Sequence, residues 1–332
     1  MSEIPATVAP GHAPITVGVI GVGKFGHNHA RKLATNPRSR LVGIYDLDIE
    51  RTREIGVALG IETYQDLDAL LRDSDALCIT TSTVSHAAII KACLLAGKHV
   101  FVEKPITVTY QETRELAELI TPREHLLACG HIERFQPEID YIRQMDLGPP
   151  IYSEAERLHP FSGRSLDIDV VLDLMVHDLD LALWLIEDGG VEIDAVGTQV
   201  FTSSLDMAHA WMKFSSGSVA NLAASRVSLK PSRKWRLFWK DRYASLDLID
   251  HQLVMVHRSS HTNQLVSESI IFDKQDALAK ELDAFLIEVA IKEGVLDSSI
   301  VPARHILCSF DEACVALKLA EGVKNAAIHS SS

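Results

Sequence analysis

The sequence has no uninterrupted apolar stretch approaching the ~18 residues that a membrane-spanning helix needs, which argues against a membrane protein. It has no surplus of positive charge either: 32 Lys and Arg stand against 45 Asp and Glu, a formal net charge of −13. That balance argues against binding to nucleic acid or to anionic membranes, both of which need a cationic surface. It leaves room for a local basic pocket that takes one small anion. Cysteine is sparse: Cys78, Cys93, Cys129, Cys308 and Cys314 are scattered through apolar or helical segments, with no CxxC among them. An odd, scattered set reads as reduced thiols in a cytoplasmic protein and not as a disulfide framework. Residues 1–14 lack the basic start and apolar run of a signal peptide and, with Pro5, Pro10, Gly11 and Pro14, are expected to form a short disordered tail. Internal repeats and low-complexity segments are absent.

What is present suffices for two domains: 332 residues, 47% of them hydrophobic. Over residues 15–131 short apolar strands (16–20, 41–45, 76–80, 99–102, 126–129) alternate with helical patterns (27–34, 49–59, 67–71, 86–96, 110–120). Thr109 and Glu112 form a capping box, and Gly60 and Gly97 sit where helices should stop. Alternation of this kind predicts an α/β domain with a doubly wound parallel sheet. Beyond it the rhythm changes. One apolar helix is expected over 168–186, followed by antiparallel strands at 191–201, 207–214, 219–227, 234–239, 243–248 and 253–257. Ser215, Ser216, Gly217 and Ser218 read as a hairpin. Two helices follow, one striped by Leu278, Leu282, Phe285, Leu286 and Val289, the other over 303–321. The expected division is therefore a Rossmann domain at 15–131, an α+β domain with a large, mostly antiparallel open sheet at 132–325, and a frayed tail at 326–332.

The first strand runs straight into Gly21, Val22, Gly23, Lys24, Phe25 and Gly26, a GxGxxG that opens a helix. Gly21 permits the tight turn, Gly23 lets the backbone approach a pyrophosphate, and Gly26 lets helix pack on strand. The helix N-terminus then offers unpaired N–H groups to phosphate. Asp46, at the end of the second strand, is the acid expected about 20 residues further on. A carboxylate there accepts ribose hydroxyls and repels a 2′-phosphate, so NAD is expected as cofactor; Arg51 and Arg53 nearby keep NADP as the alternative. His27 and His29 read as surface or capping residues.

Glu103, Lys104 and Pro105 follow an apolar strand, and ligands of doubly wound sheets bind at the carboxyl ends of strands. Asp173 and His177 are spaced i, i+4 on a helix and share one face, so the carboxylate can orient the imidazole and raise its basicity. Oxidation of an alcohol needs a base for the hydroxyl proton and a cationic donor for the oxygen. No second His stands at ligand spacing near His177, Asp178 and Asp180, so no metal is expected.

These features, with the segment Thr80, Thr81, Ser82, Thr83, Val84, Ser85, His86, resemble the glucose–fructose oxidoreductase, inositol dehydrogenase and rhizopine catabolism (Gfo/Idh/MocA) family from Val17 to about Leu319. The resemblance implies that Lys104, Asp173 and His177 line the reaction centre. It also implies that Thr80, Thr81, Ser82, His86, Glu103, Lys104 and Pro105 contact the cofactor. Ser82 departs from the proline usual there. Three further segments carry a narrower resemblance. They are residues 130–137 with Arg134, residues 157–161 with Arg157 and the nearby Arg164, and residues 171–180. They are similar to the branch of the family that oxidises nucleotide sugars at C3. This implies UDP-N-acetylglucosamine as substrate, an aminotransferase as pathway partner, and Arg134, Arg157 and Arg164 as diphosphate donors. Each arginine has a second reading as a structural salt bridge. Homo-oligomerisation, as a homodimer or homotetramer, is implied for the open sheet face. A UDP-hexuronate, a free sugar or an inositol remains the alternative substrate, and a non-catalytic dinucleotide-binding regulator the alternative function. Lys104 also remains an alternative to His177 as the base.

Overall fold

A computed structural model describes residues 13–120, 125–163, 168–188, 190–259, 262–297 and 306–329. The chain forms two compact units, Met1–Ile132 with Asp276–Cys314, and Glu133–Gln275 with Val315–Ser332.

The first unit is built on seven strands: β1 (Ile15–Ile20), β2 (Ser39–Tyr45), β3 (Thr63–Tyr64), β4 (Ala76–Ile79), β5 (His99–Glu103), β6 (Leu127–Gly130) and β15 (Cys308–Ser309). They lie in the order β15-β6-β5-β4-β1-β2-β3, all parallel except β15, which runs antiparallel to β6. Successive strand residues point to opposite faces, so strands buried at every position, as β4 and β6 are, must be covered on both. That explains why they read as unbroken apolar runs. The strand order reverses at β1 and β4, the switch point where such sheets bind ligands. Helices α1 (Lys24–Thr35), α2 (Ile49–Leu59), α3 (Leu67–Asp73), α4 (His86–Leu95) and α5 (Tyr110–Ala117) connect the strands. The capping box of Thr109 and Glu112 starts α5.

Helix α8 (Ala277–Lys292) belongs to this unit as well, although the sequence places it with the second domain. Asp276 caps it through the Ala279 N–H. Its apolar side reaches the sheet, with Phe285 edge-on to Phe101 at 5.6 Å, and Asp283 pairs with Arg38 at 2.8 Å. Apolar stripes report that a helix is covered, not by what.

The second unit carries α6 (Pro137–Gln144), α7 (Val176–Ile186), α9 (Phe310–His329, which crosses the unit boundary) and an eight-stranded sheet. Its strands are β7 (Tyr152–Leu158), β8 (Val191–Thr198), β9 (Met207–Phe214), β10 (Val219–Ser225), β11 (Ser232–Trp239), β12 (Arg242–Asp247), β13 (Gln252–Arg258) and β14 (Leu265–Ile271), in the order β14-β13-β12-β11-β7-β10-β9-β8. Only the β7–β10 pair is parallel. One face is buried, by Ala210, Met212, Leu222, Trp235 and Leu237 among others. The other carries an aromatic row in which Tyr152, Phe238 and Tyr243 are direct cross-strand neighbours, with Trp211 beside Tyr152.

Several boundaries differ from the sequence expectation. Strand β8 stops at Thr198 because the N–H groups of Val200, Phe201 and Thr202 all turn onto the Asp206 carboxylate. The helix expected from 168 opens with a π-turn over Val171–Met175, capped by Asp169 through the Val171 and Leu172 N–H groups. Helix α9 begins at Phe310, later than expected, and continues to His329 through the segment read as frayed. Ala327 there is buried and lies near Gly197 of β8. Among the described residues no helix is long and apolar enough to cross a membrane.

Candidate functional site

The glycine turn joins β1 to α1. Gly21 has φ +88°, a conformation L side chains rarely adopt, and a Cβ on Gly26 would run into the Gly21 carbonyl oxygen. Gly23 is different: a Cβ there would meet no protein atom within 4 Å. Packing does not demand glycine at this position, and the space suits a ligand that approaches the backbone closely. Val22, Gly23 and Lys24 line a groove of about 610 Å³ with His27, Asn28, Arg51 and Ile55. Phe25, in the same turn, is largely exposed. Asp46 stands at the end of β2, where Oδ2 accepts the Val22 N–H at 2.7 Å and Oδ1 the Asp48 N–H at 3.0 Å. These features fit a dinucleotide with its pyrophosphate over Gly23.

The turn after β4 supports the same site. Thr80 Oγ1 donates to the Gly21 carbonyl at 2.6 Å, locking the glycine turn to the neighbouring strand. Ser85 donates to Thr81 Oγ1 at 2.8 Å and holds a short 3₁₀ turn. Ser82 has φ −66°, the angle proline would impose, so the departure from the family pattern leaves the backbone path unchanged. His86 is buried between two carbonyl oxygens, Nδ1 2.9 Å from Pro105 O and Nε2 3.1 Å from Thr81 O. It clasps the Thr81 turn to the loop after β5. Burial lowers its pKa, more than those carbonyls raise it.

In that loop Lys104 is half-buried, Pro105 is buried, and the Lys104–Pro105 peptide is cis. The Lys104 N–H donates to Glu103 Oε2 at 3.2 Å. Behind Glu103 stands a residue that reads from the sequence as a surface or capping residue. His29 is 1% exposed, with Nε2 3.0 Å from Glu103 Oε1. Its i+3 spacing from Gly26, on the face that packs against the sheet, was the available signal.

In the second unit His177 is buried in the first turn of α7 and Asp173 is half-buried in the preceding π-turn, so the two straddle the switch between helix types. π-Turns of this kind recur at functional sites. The residues around His177 are fastened by buried charges. Arg157 donates from Nε and Nη2 to the two oxygens of Asp178, both at 2.8 Å, and Trp235 Nε1 adds a third hydrogen bond at 3.0 Å. Arg134 grips Asp180 at 2.8 and 2.6 Å and lies over the Trp184 ring. Glu133 accepts from Arg157 at 3.2 Å and pairs with Arg233.

This geometry corrects the diphosphate assignment of Arg134 and Arg157. Their planar forks are turned onto carboxylates, and their side chains are 1% and 6% exposed, which answers to the salt-bridge reading. Arg164 lies outside the described residues. The cysteines are unpaired by disulfide, with Cys78, Cys93, Cys129 and Cys308 buried. Burial pushes the Cys93 thiol up to about 12 and that of Cys314 to about 11, so neither acts as a nucleophile near neutral pH.

Residues 15–131 match the family described as the oxidoreductase family with an NAD-binding Rossmann fold, and residues 141–241 match the Gfo/Idh/MocA C-terminal domain. The chain belongs to the Gfo/Idh/MocA oxidoreductase family. Residues 15–131, within its first unit, are that family's NAD-binding Rossmann domain. Among curated relatives it is similar to the UDP-N-acetylglucosamine 3-dehydrogenase of Acidithiobacillus ferrooxidans, at 42% identity over 91% of this chain and 96% of the relative. The solved structure of that enzyme superposes with a TM-score of 0.85 at 41% identity, covering 95% of this chain and 98% of the other. A relative named scyllo-inositol 2-dehydrogenase (NAD(+)), from Bacillus subtilis, is 29% identical over 64% of this chain and 68% of its own.

Proposed function

We propose that this chain is an NAD-dependent dehydrogenase that oxidises the C3 hydroxyl of UDP-N-acetylglucosamine to the 3-keto sugar. One observation carries the reading: the 42% identity to a UDP-N-acetylglucosamine 3-dehydrogenase extends over 91% of the chain, through both units. The inositol dehydrogenase similarity covers 64%. Full-length similarity to an enzyme also favours catalysis over the regulator alternative.

The choice of NAD over NADP is supported by the Asp46 carboxylate at the end of β2. It is supported too by the engagement of the two nearby cations: Arg51 pairs with Asp48 at 2.9 Å and Arg53 pairs with Glu50. Bound NAD supplies the hydride acceptor. His177, oriented by Asp173, takes the hydroxyl proton, and Lys104 donates a hydrogen bond to the same oxygen and offsets its developing charge. With Arg134 and Arg157 held by carboxylates, Arg164 is the remaining candidate donor to the diphosphate among the three arginines.

A 3-keto sugar is a substrate for transamination, so an aminotransferase is the pathway partner this product suits. The aromatic row on the open sheet face suits a second copy of the chain. The reduced cysteines suit the cytoplasm.

The reading is tested by mixing purified protein and NAD⁺ with UDP-N-acetylglucosamine, free N-acetylglucosamine, a UDP-hexuronate or myo-inositol. An aminotransferase and amino donor are included to draw off ketone. NADH should form with UDP-N-acetylglucosamine and not with the free sugar. Reduction with myo-inositol alone would move the substrate outside nucleotide sugars.

A further inference from the structure

We propose that His29 is a positioning residue for Lys104: through Glu103 it fixes the point at which the backbone leaves β5. The proposal rests on the reading of Lys104 given above.

The chain of contacts is short and lies within the first unit. His29 is on the buried side of α1, three residues after Gly26. Its Nδ1 lies 2.9 Å from the Phe25 carbonyl oxygen and its Nε2 3.0 Å from Glu103 Oε1. Nδ1 makes a directed hydrogen bond to the Phe25 carbonyl and Nε2 stands at ion-pair distance from Glu103, an arrangement of two oxygens that favours the charged ring. Burial works against that charge, yet Glu103, with the Phe25 carbonyl, outweighs it and raises the His29 pKa. Burial likewise opposes a charged Glu103, and His29 and Lys104 outweigh it and lower its pKa.

The other Glu103 oxygen accepts the Lys104 N–H, so one carboxylate ties α1 to the residue after it. It has little room to move. A Cβ on Gly130 would lie 3.2 Å from Glu103 Oε2, so even the glycine of β6 leaves a narrow slot. Charged or titratable groups near the pair include Lys104 on its own loop, His86 of α4 and Cys78 of β4, which both feel Glu103, and Glu281 of α8, which also acts on Cys78. The sequence by itself left His29 without a role. The structure gives it a side-chain contact that braces Glu103 from the helix of the glycine turn.

The test compares NAD-saturated wild-type protein with His29→Ala, His29→Gln, Glu103→Gln and Lys104→Ala. Three quantities are read: acetylation rate of Lys104 by mass spectrometry against pH, NADH dissociation constant, and kcat with the UDP-sugar. His29→Ala and Glu103→Gln should change the Lys104 acetylation rate by about threefold or more. They should lower kcat by about tenfold, within the range that a small misplacement of a reacting group produces. In His29→Ala, NADH affinity should stay within about threefold. His29→Gln, whose amide can donate to Glu103, should recover at least half of each loss. Folded His29→Ala with wild-type Lys104 labelling and kcat would overturn the proposal. If His29→Ala does not fold, Glu103→Gln decides in its place: wild-type labelling and kcat in that variant would overturn the proposal equally. Near-normal kcat in Lys104→Ala would instead sink the role of Lys104 itself, and the labelling arm would still decide whether His29 sets that side chain.

Discussion

Arg157 of β7 and Asp178 of α7 meet as fork and carboxylate, two hydrogen bonds of 2.8 Å between side chains only 6% and 3% exposed. Asp178 directly follows His177, so the pair ties the turn that carries the proposed base to the middle of the second sheet. Arg134 and Asp180 repeat the arrangement two residues on, also within the buried interior.

Removing one member of such a pair strands a buried charge. Arg157→Ala or Asp178→Asn should each cost about 3–5 kcal/mol of stability, measured by urea unfolding. Arg157→Lys should recover little, because an ammonium lacks the planar fork that satisfies both oxygens. An Arg157→Ala protein with unchanged stability and a raised KM for the UDP-sugar would restore the diphosphate role.

Cofactor preference should follow Asp46. Fluorescence titration should give NADH at least about tenfold tighter binding than NADPH, a difference of ~1.4 kcal/mol. Asp46→Ala should narrow that gap and also weaken NADH, since the same carboxylate holds the Val22 N–H of the glycine turn. Equal affinities in the unaltered protein would remove the NAD assignment.

The chemical roles separate by kinetics. Lys104→Ala and His177→Ala should each lower kcat by ~10²-fold or more while NADH binding changes little. Asp173→Asn should fall between and shift the pH–rate profile, because it removes the charge that supports the imidazole. If His177→Ala keeps near-normal kcat, the histidine is structural and Lys104 becomes the base.

The His29–Glu103 pair makes a signed pH prediction. A histidine whose folded pKa is raised stabilises fully below its ordinary value of 6.5 and loses that contribution as pH climbs through the folded value. A carboxyl whose folded pKa is lowered stabilises fully above its ordinary 4.5 and loses it as pH falls through the folded value. The Tm difference between wild type and His29→Ala should therefore be widest from about pH 4.5 to 6.5 and shrink above it. A difference constant from pH 5 to 9 would mean that His29 is neutral in the folded protein.

Much of the first unit was legible because its signals are local. Val17 and Val19 enter the sheet as an apolar strand, Gly21 must bend backward, Thr109 and Glu112 close on each other, and Asp46 falls at the expected distance after the turn. Strand β7 was illegible for a physical reason. Its inward positions are Ser153, Ala155 and Arg157, two small residues and a charge, so no apolar alternation marks it. Strand β14 is an edge strand exposed along nearly its whole length, and it carries as little pattern.

The site divides along the same line. The glycine turn, the acid after β2, the lysine after β5 and the histidine of α7 are chemical choices tied to their own segments, and the sequence alone determined them as candidates. Partners were decided only in three dimensions: that Arg134 and Arg157 face Asp180 and Asp178 instead of a phosphate, that α8 covers the first sheet, and that His29 reaches Glu103. A residue's type states which bonds it can make. Which of them it does make depends on what the packed chain brings within about 3 Å, and for these pairs the partner lies 21 to 245 residues away.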